Sequence, residues 1–160
     1  MKNRRAFLDM IAYAEGTREG QHPLTVWDGY DVIVTGTDGP EVFAGFAAHP
    51  FAAGRKPKQI NDKGLYSTAS GRYQFMLKHW AHYRDALGLP DFGPESQDKW
   101  ALQLIRERGA LPLIDAGNFK LAVQRVSNLW ASLPGAGYGQ PERRMDRLET
   151  AYLAAGGMLA

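Results

Sequence analysis

Glu15 is the side chain of this 160-residue sequence whose type and surroundings best suit proton chemistry. Phe7, Met10, Ile11 and Ala14 recur at the i, i+3, i+4, i+7 spacing of one apolar helical face. Glu15 lies four residues after Ile11, so its carboxylate borders that face. Gly16 then offers a helix stop, which leaves the carboxyl at a chain break. A carboxyl held against apolar surface keeps its proton, because desolvation disfavours the charged form. That is the property a general acid needs. Position alone favours the ordinary outcome of a solvated last-turn glutamate, since shifted carboxylates mark sites only probabilistically.

Other acids follow closely. Asp28 and Asp31 are placed where a hairpin can aim them back at Glu15, and Glu19 lies in the intervening loop. Paired carboxylates across a sugar would make a two-carboxylate glycosidase. A turn residue (Asp28) and a strand-edge charge (Asp31) are equally good readings, and spacing does not decide. His79 and His82 stand three apart on a helix but have no third ligand nearby, so they read as ordinary helix histidines. There is no Gly-x-Ser-x-Gly, no phosphate-cradling Gly-rich loop with Lys-Ser/Thr and no His-Glu-x-x-His.

The elements that must position these groups are mostly helical. Phe7 to Ala14 lie on the first helix. Tyr30 to Val34 and Glu41 to Phe43 read as strands around a turn at Thr35 to Pro40. Ala44 to Ser70 is aperiodic and basic, a length of loop that usually has a function. Tyr73, Met76, Leu77, Trp80, Tyr83 and Leu87 mark a helix that Ser70 can cap and Gly88 ends. Pro94 opens the next helix, which ends near Gly109, and Pro112 opens a short one. Asn118 caps a helix reaching Trp130. Pro141 begins a last helix that Gly156 and Gly157 terminate. Between these two helices, Ser132 to Gln140 is Gly-rich and carries Tyr138, whose ring has an apolar face and a polar tip suited to a sugar.

A chain of this length reads as one domain spanning residues 1–160. Its composition, 44% hydrophobic and 22% charged, is that of a globular protein. No run approaches a membrane span, and the basic start Met1 to Arg5 lacks the apolar stretch and cleavage site of a signal peptide. With no cysteine, disulfides and thiol catalysis are excluded. A formal charge of +2 is too small for a nucleic-acid stripe.

Several segments together resemble the bacteriophage lambda lysozyme (endolysin) family of peptidoglycan lytic transglycosylases. They are Arg5 to Met10, Glu15-Gly16-Thr17, Gly29 to Val34, Gly71-Arg72-Tyr73-Gln74, Glu107 to Pro112 and Trp130 to Gln140. The match is poorest at Thr35 to Glu41 and Phe51 to Leu65. The resemblance implies a lysozyme-like α+β fold, mostly helical with one small hairpin, in which loops Ala44 to Lys63 and Ser132 to Gln140 form lips over a saccharide cleft. It implies that Glu15 is the catalytic acid and then base in cutting the MurNAc–GlcNAc linkage with formation of 1,6-anhydro ends. Tyr138, Gln74, Tyr73, Asp31, Gly71 and Gly139 are the expected substrate contacts. No cofactor or metal is expected. The implied setting is host cell lysis: a monomer made in the cytoplasm without a signal peptide, released to the periplasm by a separate holin-like membrane protein. Two alternatives stay open: a hydrolytic muramidase using Asp28 or Asp31, and a wall-binding or virion structural protein without activity.

Overall fold

The computed structural model describes residues 1–139 and 141–160. The described elements are helices α1 (Lys2–Glu15), α2 (Trp80–Leu87), α3 (Pro94–Glu107), α4 (Leu111–Asp115), α5 (Phe119–Val126) and α6 (Met145–Ala154), with short strands β1 (Val32–Gly36), β2 (Gly39–Val42), β3 (Lys58–Gln59) and β4 (Tyr66–Ser67). The architecture is α+β, as the sequence implies. The chain divides into two compact units, residues 1–15 with 101–160, and residues 16–100. The divisions fall directly after Glu15 and inside α3, after Trp100.

In the first unit α1 packs on α4 and α6, and α5 packs on α4 and α6. The buried surface of α1 includes Ala6, Leu8 and Ala12 besides the expected stripe, so the helix is buried on more than one side. The edge of the Phe7 ring meets Phe119 at 6.0 Å, and Phe119 lies 4.6 Å from Tyr152. The chain ends close this core. Asn3 Nδ2 donates to the Ile114 carbonyl, Asn3 Oδ1 accepts from Met158 N–H, and Ala160 N–H donates to the Gly117 carbonyl. Gly156 ends α6 at φ +94° as expected. Gly157 has a different reason: a Cβ there would lie 2.4 Å from the Tyr152 ring.

In the second unit β1 and β2 form the expected antiparallel hairpin, pairing Val32 with Val42 and Ile33 with Glu41 around a turn at Thr37-Asp38. Lys58 of β3 buries its stem and brings its ammonium to Asp38 at 3.0 Å and Glu41 at 2.8 Å. The supposedly structureless stretch therefore holds a second small antiparallel sheet, β3 with β4. Phe75 stacks on Trp100 at 4.0 Å, and Trp80, Tyr83 and Phe92 gather round the same indole.

Three helix boundaries differ from expectation. The helix expected from Tyr73 starts with a 3₁₀ turn at Leu77–His79, and Ser70 caps nothing; it exchanges backbone hydrogen bonds with Phe75. Gly71 at φ +85° and Gln74 at φ +56° close that tight turn. Asn118 holds the N-cap position of α5 without a side-chain cap, and α5 stops at Val126, short of Trp130. The last helix begins at Met145, four residues after Pro141, and Arg143 N–H in the stretch before it donates to the Ser132 carbonyl at 2.7 Å. α3 and α4 begin at or beside their prolines as the sequence suggests.

Candidate active site

Glu15 is the last residue of α1, and Gly16 at φ +73° ends the helix there. The residue is half-buried, and its carboxyl is desolvated enough to raise its pKa from 4.5 to about 7. Burial is the main cause, the effect expected for a carboxyl against apolar surface. Two groups oppose it, the Ser132 hydroxyl and the Arg143 charge. The hydroxyl contact is a weak one, because Ser132 Oγ is buried and makes no hydrogen bond of ordinary length. The result is a carboxyl poised to give and take a proton near neutral pH.

The Gly-rich segment lies in the same unit. Glu142 organises it: its carboxylate accepts from Gly135 N–H at 3.0 Å and Gly137 N–H at 3.2 Å. Tyr138 is 57% exposed and its hydroxyl donates to the Asn128 carbonyl at 2.5 Å, which anchors the ring without covering it. Gly135, Gly137 and Gly139 all have positive φ, +82°, +77° and +71° in turn. Gln140, the last residue of the expected lip, lies outside the described residues.

The remaining expected contacts belong to the unit of residues 16–100. Asp31 is buried, accepting from Thr25 Oγ1 at 2.5 Å and Val26 N–H at 3.0 Å. Both oxygens are therefore occupied in shaping the loop before β1. Asp28 accepts from Glu19 N–H at 2.8 Å and approaches Arg72 at 3.4 Å. Tyr73 has no exposed surface; its hydroxyl donates to Asp98 at 2.6 Å. The cleft contact expected of Tyr73 thus meets a buried side chain. Gln74 is half-buried and folds its amide back onto the Gly71 carbonyl at 2.9 Å. Gly71 is where it is because a Cβ would lie 2.3 Å from Gln97 Oε1.

Sequence reading misses four organising residues. Gln97 is fully buried, accepts from Arg72 N–H and donates to the Tyr30 and Phe92 carbonyls. Asp98 accepts from both Tyr30 and Tyr73, and burial helps push the Tyr30 hydroxyl up to about 12. Both stand in a polar run at the start of α3, where nothing separates them from solvated neighbours. Glu142 and Arg143 are equally anonymous in the run Glu-Arg-Arg. His79 and His82 are exposed, and among the described residues no group of three His, Asp or Glu is arranged to hold a metal.

The Endolysin family model matches residues 5–159. This chain belongs to the endolysin family. It is 57% identical to the endolysin of Escherichia phage P2 over 99% of this chain and 96% of that protein. It is 52% identical to the endolysin of Escherichia phage lambda, covering 96% and 91%. Among solved structures, bacteriophage lambda lysozyme complexed with a chitohexasaccharide superposes with a TM-score of 0.91 at 49% identity, covering 100% of this chain and 97% of that one.

Proposed function

We propose that this endolysin cleaves the MurNAc-β-1,4-GlcNAc bond of peptidoglycan by lytic transglycosylation, with Glu15 as the one catalytic carboxyl. The observation that carries the reading is Glu15 itself, desolvated at the end of α1 with a pKa of about 7. Protonated, it donates to the oxygen leaving with GlcNAc as the bond to the muramyl C1 breaks. The oxocarbenium-like centre is then attacked by the C6 hydroxyl of the same muramyl residue, whose proton returns to the ionised Glu15. The carboxyl ends as it began, and no water is consumed.

A group that serves as acid and then base works best with a pKa near the working pH, which supports one carboxyl in both roles. The engagement of Asp31 by Thr25 and Val26 supports the same reading over a second carboxylate. The chitohexasaccharide held by the lambda relative supports a saccharide substrate. Tyr138, with its exposed ring and anchored hydroxyl, and Gly139 are the substrate contacts on the unit of Glu15. In the unit of residues 16–100, Gln74 and Gly71 are the proposed contacts, while Asp31 holds the Val26 backbone in place. By likeness to the family, the working form is a monomer without cofactor that reaches the wall with the help of a separate holin-like protein. The direct test is Glu15→Gln, which should fold normally and fail to clear a peptidoglycan suspension. Clearing at the wild-type rate would remove Glu15 from the mechanism.

A further inference from the structure

Two contacts of Arg143 converge on the end of α1 that carries Glu15, and a third reaches Ser132. Its Nε donates to the Ala14 carbonyl at 3.2 Å, and its guanidinium lies over the Tyr13 ring, 5.3 Å from the centroid. Its own backbone N–H donates to the Ser132 carbonyl at 2.7 Å. Tyr13, Ala14 and Glu15 are the last three residues of the helix. Carbonyls there lack helical donors and carry the negative end of the helix dipole, so a cation is doubly suited to them. On the other flank, Ser132 is fixed through its backbone while its Oγ stays buried without a hydrogen-bond partner. Such a hydroxyl costs free energy unless something makes use of it.

We propose that Arg143 is a positioning residue for Glu15, clamping the helix end that carries the carboxyl to the segment that presents the Ser132 hydroxyl to it. The inference rests on Glu15 being the acid of the proposed reaction. Arg143 is the charged group and Ser132 the neutral one that act on the carboxyl, and both lower its proton affinity against the effect of burial. The clamp thus keeps the pKa from rising past neutrality while it holds the proton on a fixed line. A flat, delocalised guanidinium can lie on the Tyr13 ring while donating to Ala14, whereas an ammonium supplies the charge without that geometry.

The test compares Arg143→Ala, Arg143→Lys and Ser132→Ala with the wild type in kcat, apparent KM and pH profile on purified peptidoglycan. In Arg143→Ala, kcat should fall by roughly tenfold or more, because small misplacements of a reacting group are costly. Apparent KM should stay within about twofold, since ground-state binding is untouched. The alkaline limb should move to higher pH, because loss of the cation favours the neutral carboxyl. Arg143→Lys should leave the limb in place while restoring only part of kcat. Ser132→Ala should move the limb the same way as Arg143→Ala. An Arg143→Ala enzyme with wild-type kcat and limb overturns the inference, as does a fall in kcat matched by lost stability with an unmoved limb. If Arg143→Ala does not fold, Arg143→Lys decides, and full activity in it overturns the clamp. Glu15→Gln keeps the two readings apart: if it is inactive while Arg143→Ala behaves as wild type, the catalytic assignment stands and only the clamp falls.

Discussion

At the scale of single residues, the account depends on a carboxyl that binds its proton more tightly in the folded chain than in the unfolded one. Glu15 moves from 4.5 to about 7 on folding, so between those values the folded state holds a proton that the unfolded state has lost. Stability therefore falls as pH rises through this window, by up to about 3 kcal/mol above it. Glu15→Gln removes the penalty. In urea unfolding it should match the wild type within about 1 kcal/mol at pH 5 and exceed it by about 3 kcal/mol at pH 8. Equal stability at both pH values would mean that the carboxyl is not desolvated. The same shift predicts that kcat/KM falls above about pH 7, as the free enzyme loses the acid form. The position of Glu15 at the edge of an apolar face was readable in the sequence, and so was the sign of its shift. The opposing charge of Arg143 was not, because 128 residues of chain separate the two and no local pattern links them.

At the scale of elements, segments with strong local punctuation were legible. Pro94 and Pro112 mark the starts of α3 and α4, the Gly-containing turn marks the hairpin, and Gly156 marks the end of α6. Segments held by distant bonds were not. β3 and β4 are two residues each, too short to show alternation. The turn at Gly71 to Gln74 carries apolar residues at helical spacing, yet its conformation is dictated by Gln97 from α3. Gly71→Ala should therefore destabilise strongly, by about 2–4 kcal/mol in urea unfolding, because both the positive φ and the 2.3 Å approach to Gln97 forbid a Cβ. The Gly-rich loop behaves differently. Its exposed carboxylate Glu142 bonds two backbone N–H groups, so Glu142→Ala should cost less than about 1 kcal/mol of stability. It should nevertheless raise apparent KM about three- to tenfold, since the loop carrying Tyr138 loses its order. An unchanged KM would separate the loop from substrate binding.

At the scale of the whole molecule, two units are built from three stretches of sequence, and the first unit needs both chain ends. Asn3 joins the start of α1 to Met158 after α6, and Gly117, just after α4, joins the same segment at Ala160. Removing residues 158–160 should lower amide exchange protection mainly in residues 1–15 and 101–160; uniform loss would contradict that division. This arrangement could not be read from composition, because the sequence separation of its partners approaches the full chain length. The absence of cysteine leaves this closure to packing and hydrogen bonds alone. What the molecule does as a whole is decided by the fate of water at the cut bond. Digesting peptidoglycan in water enriched in the heavy oxygen isotope, then weighing the released muropeptides, tests this most directly. The account predicts anhydro ends one water lighter than hydrolysed ends, free of label, and absent with Glu15→Gln. Labelled reducing ends would show that water, not the muramyl hydroxyl, is the nucleophile, and would contradict it.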